Sequence, residues 1–394
     1  MSVRQHQRKN RRRKTGVLGG VSLCVWVLGL VLVLVYVVSR VLTDRFGWSQ
    51  WLWWAPAGWW VSGAWIALGV SGVLGVMGWL RGARKTVWGG GGGVVFWVYL
   101  LVCVGMVVHL AVWVVRVPNS IGGYGIHWTD THERVRVMHW NIAAGSFDEE
   151  QVMEWMAPGN IDLVLLANTR FDGQRRALME GLKERLGEGF AVRGLSRALV
   201  ASRYEILSAQ VVYVSASGKE GPSEEAVRAT GDFGWVVMLT LDGGEMYGVF
   251  DVWLVDLPSE PTVHRMESMA RVVETVRARL GEEVADDAVG PALVIGDFNT
   301  VRGSASLGAF DVFSQDGFED AFAARGAGRG TWRPMGLGGL KGWAAGRSSW
   351  GIDLALVGNG WRTHGYELVL PDGAEWEQGG VSHLAQVVDI ERAD

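Results

Sequence analysis

The stretch LVIGDFNT, Leu293–Thr300, runs from apolar residues directly into Gly-Asp-Phe-Asn. Side chains alternate between the two faces of an extended chain, so Asp297 and Asn299 share one face and Phe298 lies on the other. Two oxygen-bearing side chains at a strand end suit a hard cation, or a water molecule held against a phosphate. Gly-Asp-x-Asn is also favourable turn chemistry. This stretch alone therefore leaves both a site and a simple turn open.

The region that surrounds this stretch alternates strands and helices from Val135 to the C-terminus, which predicts one α/β domain of about 260 residues. Polar side chains lie at the ends of several predicted strands: Asn141, Asn168, Asp256, Asp297, Asp353 and His383. Functional sites of layered α/β folds gather at strand ends. Asp297 and Asn299 therefore belong to a set, which favours a site over a turn.

The N-terminal part of the chain has a different character. A basic tail over residues 1–15 precedes three long apolar runs, Gly16–Val38, Ala55–Leu80 and Gly91–Val115. Each run is long enough, at 1.5 Å per helical residue, to cross a hydrocarbon layer of about 30 Å. We therefore predict three transmembrane helices within residues 16–116, a linker over residues 117–133 and the α/β domain over residues 134–394.

The flanking charges predict the orientation of these helices. Arg and Lys residues crowd the N-terminal tail and the loop between the second and third runs, whereas the other side has few. The positive-inside rule then places the N-terminus in the cytoplasm and the C-terminal domain outside it, in a multi-pass protein of the cell membrane. A tryptophan cluster at the predicted outer boundary fits an interfacial aromatic belt, with the lipid bilayer as partner: Trp48, Trp51, Trp53, Trp54, Trp59 and Trp60.

Composition excludes some classes of chemistry. The net charge of -4 gives no sign of bulk affinity for nucleic acid. The two cysteines, Cys24 and Cys103, fall inside predicted spans. The outer domain therefore has no disulfide, no zinc–thiolate site and no thiol nucleophile. No feature of the sequence points to a particular protein partner.

Six segments of the domain together carry a family resemblance: VRVMHWNI, IDLVLLAN, LVASRYEI, LVIGDFNT, GIDLALV and VSHLAQVVDI. In this order they resemble the endonuclease/exonuclease/phosphatase family, which has the deoxyribonuclease-I-like fold. The resemblance covers roughly Arg134 to Glu391. It implies an α/β four-layer sandwich, in which two packed mixed, mostly antiparallel sheets are flanked by helices. It also implies a magnesium-dependent phosphoesterase site at one end of the sheets.

The resemblance also implies roles for individual residues. Asp297 and Asn299 match the family pair that positions and activates the attacking water, and Asn141 matches the family Asn of the first strand. His383 matches the histidine that faces the scissile phosphate, and Asp353 matches the acid that orients it. Asn141 and Asn299 are also candidate substrate contacts. A further candidate is Arg170, a cation able to reach a phosphate-bearing groove.

Three positions depart from the family pattern. Asn168 stands where the family has its main magnesium-binding Glu, Asp256 where it has a His, and Ser382 where it has an Asp. An amide oxygen brings no charge, so affinity for Mg2+ or Mn2+ should drop, or be lost if Asn168 does not ligate. In one hypothesis, Asp256 supplies the negative charge that is missing at Asn168. The candidate metal ligands are then Asn168, Asp256 and Asp297.

These departures leave two functions open. The first is a membrane-anchored, metal-dependent phosphodiesterase or phosphatase, whose phosphoester substrate is a lipid headgroup, a nucleic acid or a small molecule. The second is a catalytically impaired family member that acts as a membrane-anchored binding or scaffold domain. Five retained residues favour the first: Asn141, Asp297, Asn299, Asp353 and His383. The replacements at Asn168, Asp256 and Ser382 favour the second.

Overall fold

The computed structural model describes residues 3–54, 60, 63–67, 69–71, 73, 101, 104–105, 134–142, 161–169, 173–218, 232–260, 262–281, 290–326, 331, 351–369 and 383–393. The chain divides into two compact units. One comprises Met1–Thr43 and Trp51–Arg116, and the other comprises Asp44–Gln50 and Val117–Asp394. The second unit thus includes a short segment, Asp44–Gln50, that the sequence analysis places in the membrane region.

The first unit contains helix α1, Val3–Leu42. Within it, Leu23–Leu42 is the one stretch of the described residues that is long and apolar enough to cross a membrane. The helix therefore extends past the predicted end of the first span at Val38. Most of the second and third predicted spans lies outside the described residues, so both stay predictions. Helix α2 spans Gly47–Trp54.

Among the described residues, the second unit contains two sheets of six strands each. The first has the order β11-β12-β1-β2-β4-β3, and the second β5-β6-β7-β8-β10-β9. The strands of the first sheet are β1 Val135–Asn141, β2 Leu163–Ala167, β3 Ala191–Leu195, β4 Ala198–Ser202, β11 Trp361–Val369 and β12 Ala385–Arg392. Those of the second are β5 Glu205–Ser215, β6 Phe233–Asp242, β7 Val249–Asp256, β8 Leu293–Asp297, β9 Glu319–Asp320 and β10 Asp353–Val357. Within the described ranges, β1 pairs with β2 and β7 with β8 in parallel, and the remaining pairs are antiparallel.

Apolar side chains on the facing sides of the two sheets form the central core, with Val137 and Leu165 from one sheet and Leu254 and Ile295 from the other. The described helices of this unit are α3 Gly173–Leu186, α4 Gly244–Tyr247, α5 Arg265–Leu280, the 3-10 helix Ala305–Phe313 and α6 Ala321–Arg325. Leu178 of α3 packs on the outer face of the first sheet, and Val272 of α5 packs on the outer face of the second. The predicted sandwich of two mixed, mostly antiparallel sheets flanked by helices is confirmed.

The glycine of the opening stretch explains how two strand ends meet. Gly296 has φ +146°, and a Cβ atom there would lie 2.0 Å from the carbonyl oxygen of Val255. Only glycine allows the backbones of β7 and β8 to approach this closely. Their parallel register then places Asp256 beside Asp297, and the antiparallel register of β10 places Asp353 on the other side of Asp297.

Candidate active site

Three carboxylates lie on neighbouring strands at one edge of the second sheet. Asp256 ends β7, Asp297 ends β8 and Asp353 begins β10, and the register makes Asp297 the direct partner of both others. The side chains of Asp297 and Asp353 are 5% and 0% exposed. Buried carboxylates repel one another unless a cation or a proton compensates their charge. The sheet itself therefore builds a negatively charged cluster.

His383, two residues before the start of β12, joins this cluster through Asp353. Its Nδ1 lies 2.9 Å from Oδ2 and 3.2 Å from Oδ1 of Asp353. Asp353 is held in turn by Thr331, whose Oγ1 accepts a hydrogen bond from the Asp353 backbone N–H at 2.9 Å. Trp140 Nε1 donates to the carbonyl oxygen of His383 at 3.1 Å. These contacts fix the imidazole so that Nδ1 faces the acid, which leaves Nε2 on the side of Asp297.

The Asp353–His383 pair is electrostatically an ion pair. Burial alone would lower the pKa of His383, but the charge and hydrogen bond of Asp353, together with Asp297 and Asp256, raise the pKa of His383 to about 9. Burial alone would raise the pKa of Asp353, but the charge of His383 and its hydrogen bond hold the pKa of Asp353 below its ordinary value. A carboxylate behind a histidine in this way keeps the imidazole protonated and oriented.

Asp297 is held at both of its oxygens. Asn141 Nδ2 donates to Oδ2 at 2.9 Å, and the backbone N–H of Asn299 donates to Oδ1 at 2.8 Å. His383 Nε2 lies 4.0 Å from Oδ2. Burial first, and then the negative charge of Asp353, raise the pKa of Asp297 well above its usual range. Asn299 itself is anchored, because its Nδ2 donates to the carbonyl oxygen of Leu257 at 2.8 Å.

Asn168 connects Asp256 to the rest of the cluster. Its Nδ2 donates to Asn141 Oδ1 at 3.0 Å, and its side chain also hydrogen-bonds to Asp256. Asn168 has φ +59°, a left-handed conformation that Asn adopts more readily than most residues. Burial raises the pKa of Asp256 to about 6, although the positive charges of Arg197 and His383 and the Asn168 hydrogen bond act in the opposite direction.

The chemistry of these donors fits a hard divalent cation. Ligand atoms of Asp297, Asp353 and His383 all lie within 4.8 Å of one another. His383, protonated beside Asp353, contributes no ligand, so the candidate donors are the oxygens of the neighbouring carboxylates and of Asn168. Each oxygen of a carboxylate has two lone pairs, so the Asp297 oxygens can accept the two hydrogen bonds described above and still ligate. The raised pKa values of Asp297 and Asp256 reflect carboxylates crowded in a buried site, which is the electrostatic situation that a bound cation relieves.

The structure brings together most of the residues selected from the sequence. Linked by hydrogen bonds or packed beside one another at this edge are Asn141, Asn168, Asp256, Asp297, Asn299, Asp353 and His383. Arg170 and Ser382 lie outside the described residues, so their roles stay predictions.

Two residues that act electrostatically on the site carboxylates, Arg197 and His139, were not predicted from the sequence. Arg197 acts on Asp256 electrostatically and its carbonyl oxygen accepts from the Thr169 backbone at 2.8 Å, but it lies in a turn without a recognisable motif. His139, fully buried two residues before Asn141, has its pKa lowered to about 4 by burial. It lies within an apolar strand, where sequence gives no sign of its neighbours.

Comparison with known proteins agrees with this fold. The sequence profile of the Endonuclease/Exonuclease/phosphatase family matches residues 138–376, more than half of the chain. No curated protein matches. Among solved structures, a family protein from Bacteroides thetaiotaomicron is 15% identical and covers 65% of this chain and 97% of its own, with a TM-score of 0.47.

Two further similar structures are of individually named proteins. The Bacteroides thetaiotaomicron mannosyl-6-phosphatase is 15% identical and covers 65% of this chain and 99% of its own, with a TM-score of 0.44. The human Nocturnin catalytic domain, with a bound sulfate anion, is 14% identical and covers 67% and 97%, with a TM-score of 0.46.

The fold and the site define an α/β sandwich with a buried cluster of acids, amides and one histidine at an edge of its sheets. The profile match over residues 138–376 identifies it further: the chain belongs to the Endonuclease/Exonuclease/phosphatase family.

Proposed function

We propose that the chain is a membrane-anchored hydrolase that uses a divalent cation to direct water at a phosphoester. The observation that carries this proposal is the meeting of Asp297, Asp353 and His383 in one buried cluster. Hydrolysis of a phosphoester needs an acceptor for the proton of water and a source of positive charge at the phosphoryl oxygens. Asp297 offers the first, and His383 together with the cation offers the second.

Each residue has a role that follows from its contacts. Asp297 accepts the proton of the attacking water, and Asn141 and Asn299 orient its carboxylate. The water oxygen forms the new bond to phosphorus as the ester P–O bond breaks, and the ester oxygen leaves with the bonding electron pair and takes a proton from solvent water. His383, kept protonated by Asp353, donates a hydrogen bond from Nε2 to a phosphoryl oxygen.

The cation would be held by oxygens of Asp297, Asp256 and Asn168. Mg2+ or Mn2+ supplies charge neutralisation at the phosphoryl oxygens when bound. Asp256 provides the negative charge that the family ligand supplies from the position of Asn168. Geometry supports this assignment, because Asp256 is the register partner of Asp297, and Asn168 is joined to Asp297 by hydrogen bonds through Asn141.

The class of substrate is inferred from attachment to a membrane rather than from the shape of the site. The apolar stretch Leu23–Leu42 supports an attachment to a membrane, and attachment favours a lipid headgroup over a nucleic acid or a small phosphorylated molecule. We propose that the domain faces out of the cytoplasm, as the flanking charges of the sequence predict.

Hydrolysis by the full-length chain in detergent tests the proposal. An aryl phosphodiester, an aryl phosphomonoester and mixed micelles that contain phosphatidylinositol phosphates are each assayed with Mg2+, Mn2+ and Ca2+. The control is the Asp297→Ala/His383→Ala double variant. We expect at least one substrate to turn over with a divalent cation and to stop with a chelator. Turnover equal to that of the double variant in every cation would contradict the proposal.

A binding domain without activity is the second candidate. The observation that favours it is the neutral Asn168 at the position where the family has its charged ligand. This candidate predicts that the site still binds a phosphorylated ligand in a titration, while the wild-type chain and the double variant are equally inactive. Cation-dependent turnover excludes it.

A further inference from the structure

The segment Asp44–Gln50 is embedded in the hydrolase unit, although more than 80 residues separate it from β1. Asp44 and Ser49 are 0% exposed and Gln50 is 2% exposed, whereas Arg45 in the same segment is exposed. Burial of a carboxylate and an amide requires partners. Those partners come from two places in the hydrolase unit, the turn before α5 and the start of the 3-10 helix.

Asp44 contacts both places. Its carboxylate accepts hydrogen bonds from the backbone N–H of Ser306, at 3.2 Å, and from the Ser306 hydroxyl. Ser306 is the second residue of the 3-10 helix, so Asp44 satisfies an N–H that the helix itself leaves unpaired. The backbone carbonyl of Asp44 accepts a hydrogen bond from Nε2 of His264 at 2.9 Å.

Gln50 binds the backbone of the turn on both sides of His264. Its Oε1 accepts from the N–H of Arg265 at 2.8 Å, and its Nε2 donates to the carbonyl oxygen of Val263 at 3.4 Å. A side-chain amide that both accepts and donates in this way fixes the position of the turn. The first residue of α5, Arg265, is therefore placed by Gln50.

Arg265 extends this placement toward the candidate active site. Its side chain is buried and Nη1 donates to the carbonyl oxygen of Pro258 at 2.6 Å. Pro258 follows Leu257, whose carbonyl oxygen holds Asn299 and whose N–H donates to the carbonyl oxygen of Asp297 at 2.8 Å. The charges of Asp297 and Asp44 both act on Arg265, which lies in the electrostatic field of both groups.

We propose that Asp44 and Gln50 are positioning residues of the hydrolase, which hold Arg265 and, through it, the Leu257–Pro258 backbone that fixes Asn299 and Asp297. This role rests on the proposed function. The segment between the first two apolar runs is thus a structural part of the hydrolase domain rather than a connector. A fragment that begins at residue 134 would lack it.

Cysteine cross-linking tests the docking without reference to activity. In the full-length chain with Cys24 and Cys103 replaced by Ser, the pair Asp44→Cys/Ser306→Cys is expected to form a disulfide under mild oxidation. The matched control pair, Arg45→Cys/Ser306→Cys, starts from an exposed residue of the same segment and is expected to stay reduced. No disulfide in the first pair, or equal yields in the two pairs, would overturn the docking.

Kinetics then test the positioning role. These variants are made in the chain with Cys24 and Cys103 replaced by Ser and without the engineered cysteine pairs. Gln50→Met removes the acceptor for the Arg265 N–H and is expected to lower kcat about tenfold or more with KM little changed. Gln50→Glu keeps that acceptor and is expected to retain most of kcat, whereas a loss of folding alone would not separate the two variants. Arg45→Ala is the control at wild-type kcat.

The outcomes separate the two proposals. Equal kcat in Gln50→Met and wild type would overturn the positioning role while leaving the hydrolase intact. A wild-type chain that hydrolyses nothing would overturn the proposed function and the positioning role together, and the disulfide would still decide whether Asp44 docks at Ser306.

Discussion

Asn168 and Asp256 differ from their family counterparts in where one negative charge lies. The family resemblance implies a Glu at the position of Asn168 and a His at the position of Asp256, so we propose that the second sheet supplies the charge that the first sheet supplies in the family. Both side chains lie close to Asp297: Asp256 is its register partner, and Asn168 is linked to it through Asn141. The affinity for a cation depends on the total charge and on the oxygen ligands within reach. A carboxylate at position 256 instead of position 168 can therefore still bind it.

Exchanging the two side chains tests this idea. We expect Asp256→Asn to weaken Mn2+ binding at least about tenfold, because it removes a buried charge beside the cation. The double variant Asn168→Asp/Asp256→Asn, which returns the charge to the first sheet, should recover most of the affinity, and Asp tolerates the left-handed backbone at 168. Calorimetric titration of the full-length chain measures both. The control is Asp316→Asn, an exposed carboxylate, and unchanged affinity in Asp256→Asn would refute the hypothesis.

His383 predicts a pH dependence of stability in the cation-free protein. Its pKa is raised from 6.5 to about 9 in the folded state, so the folded protein binds this proton more tightly than the unfolded chain. The stabilisation is complete below pH 6.5 and is lost as the pH rises through about 9, with a free energy on the order of 3 kcal/mol. Thermal unfolding in a chelator should show Tm falling over this window in the wild type and much less in His383→Gln. A flat wild-type profile would contradict the assignment.

Strand-end position was enough to select Asn141, Asp297 and Asp353. Asn141 and Asp297 end strands of the parallel pairs β1/β2 and β7/β8, whereas Asp353 begins β10, which is antiparallel to β8 and starts beside Asp297. It was not enough for Arg197, which reaches the site only because the turn between β3 and β4 pairs with Thr169. Nor did it reveal Asp44, whose partners are more than 200 residues away. Contacts of this kind depend on tertiary packing that no local pattern encodes.

At the scale of elements, the sequence identified central strands better than edge strands. The apolar runs of β1, β2 and β8 are buried along their whole length, which gives a strong signal. The edge strands of the first sheet, β3 and β11, are partly exposed and contain no long run of buried apolar residues, so they lack that signal. Strand β7 begins at Val249, directly after the short helix α4 and Gly248, whose φ is +64°.

The close approach of β7 and β8 gives a prediction about Gly296. We expect Gly296→Ala to destabilise the domain by about 3 kcal/mol or more, because the new Cβ atom would lie 2.0 Å from the Val255 carbonyl oxygen. The matched control is Gly189→Ala, where a Cβ meets nothing within 4 Å. Thermal unfolding of the two variants measures the difference. If the Tm of Gly296→Ala equals that of the control, the backbone contact does not constrain the site.

At the scale of the whole molecule, we expect an integral membrane protein with an outward-facing domain. The stretch Leu23–Leu42 has a mean hydropathy of 2.5 over its most apolar window, so we expect the chain to resist extraction by alkaline carbonate and to dissolve in detergent. Protease added to spheroplasts should digest the C-terminal domain and spare a cytoplasmic control protein. Release by carbonate would contradict the anchor, and protection of the domain would contradict the orientation.

The most direct test of the central claim follows the oxygen atom of water. The full-length chain is incubated with an aryl phosphodiester and Mn2+ in water enriched in oxygen-18, and the phosphate monoester product is analysed by mass spectrometry. We expect the wild type to form product that carries one labelled oxygen on phosphorus. The Asp297→Ala/His383→Ala variant is expected to form none. Equal product from the two proteins, or product without the label on phosphorus, would contradict it.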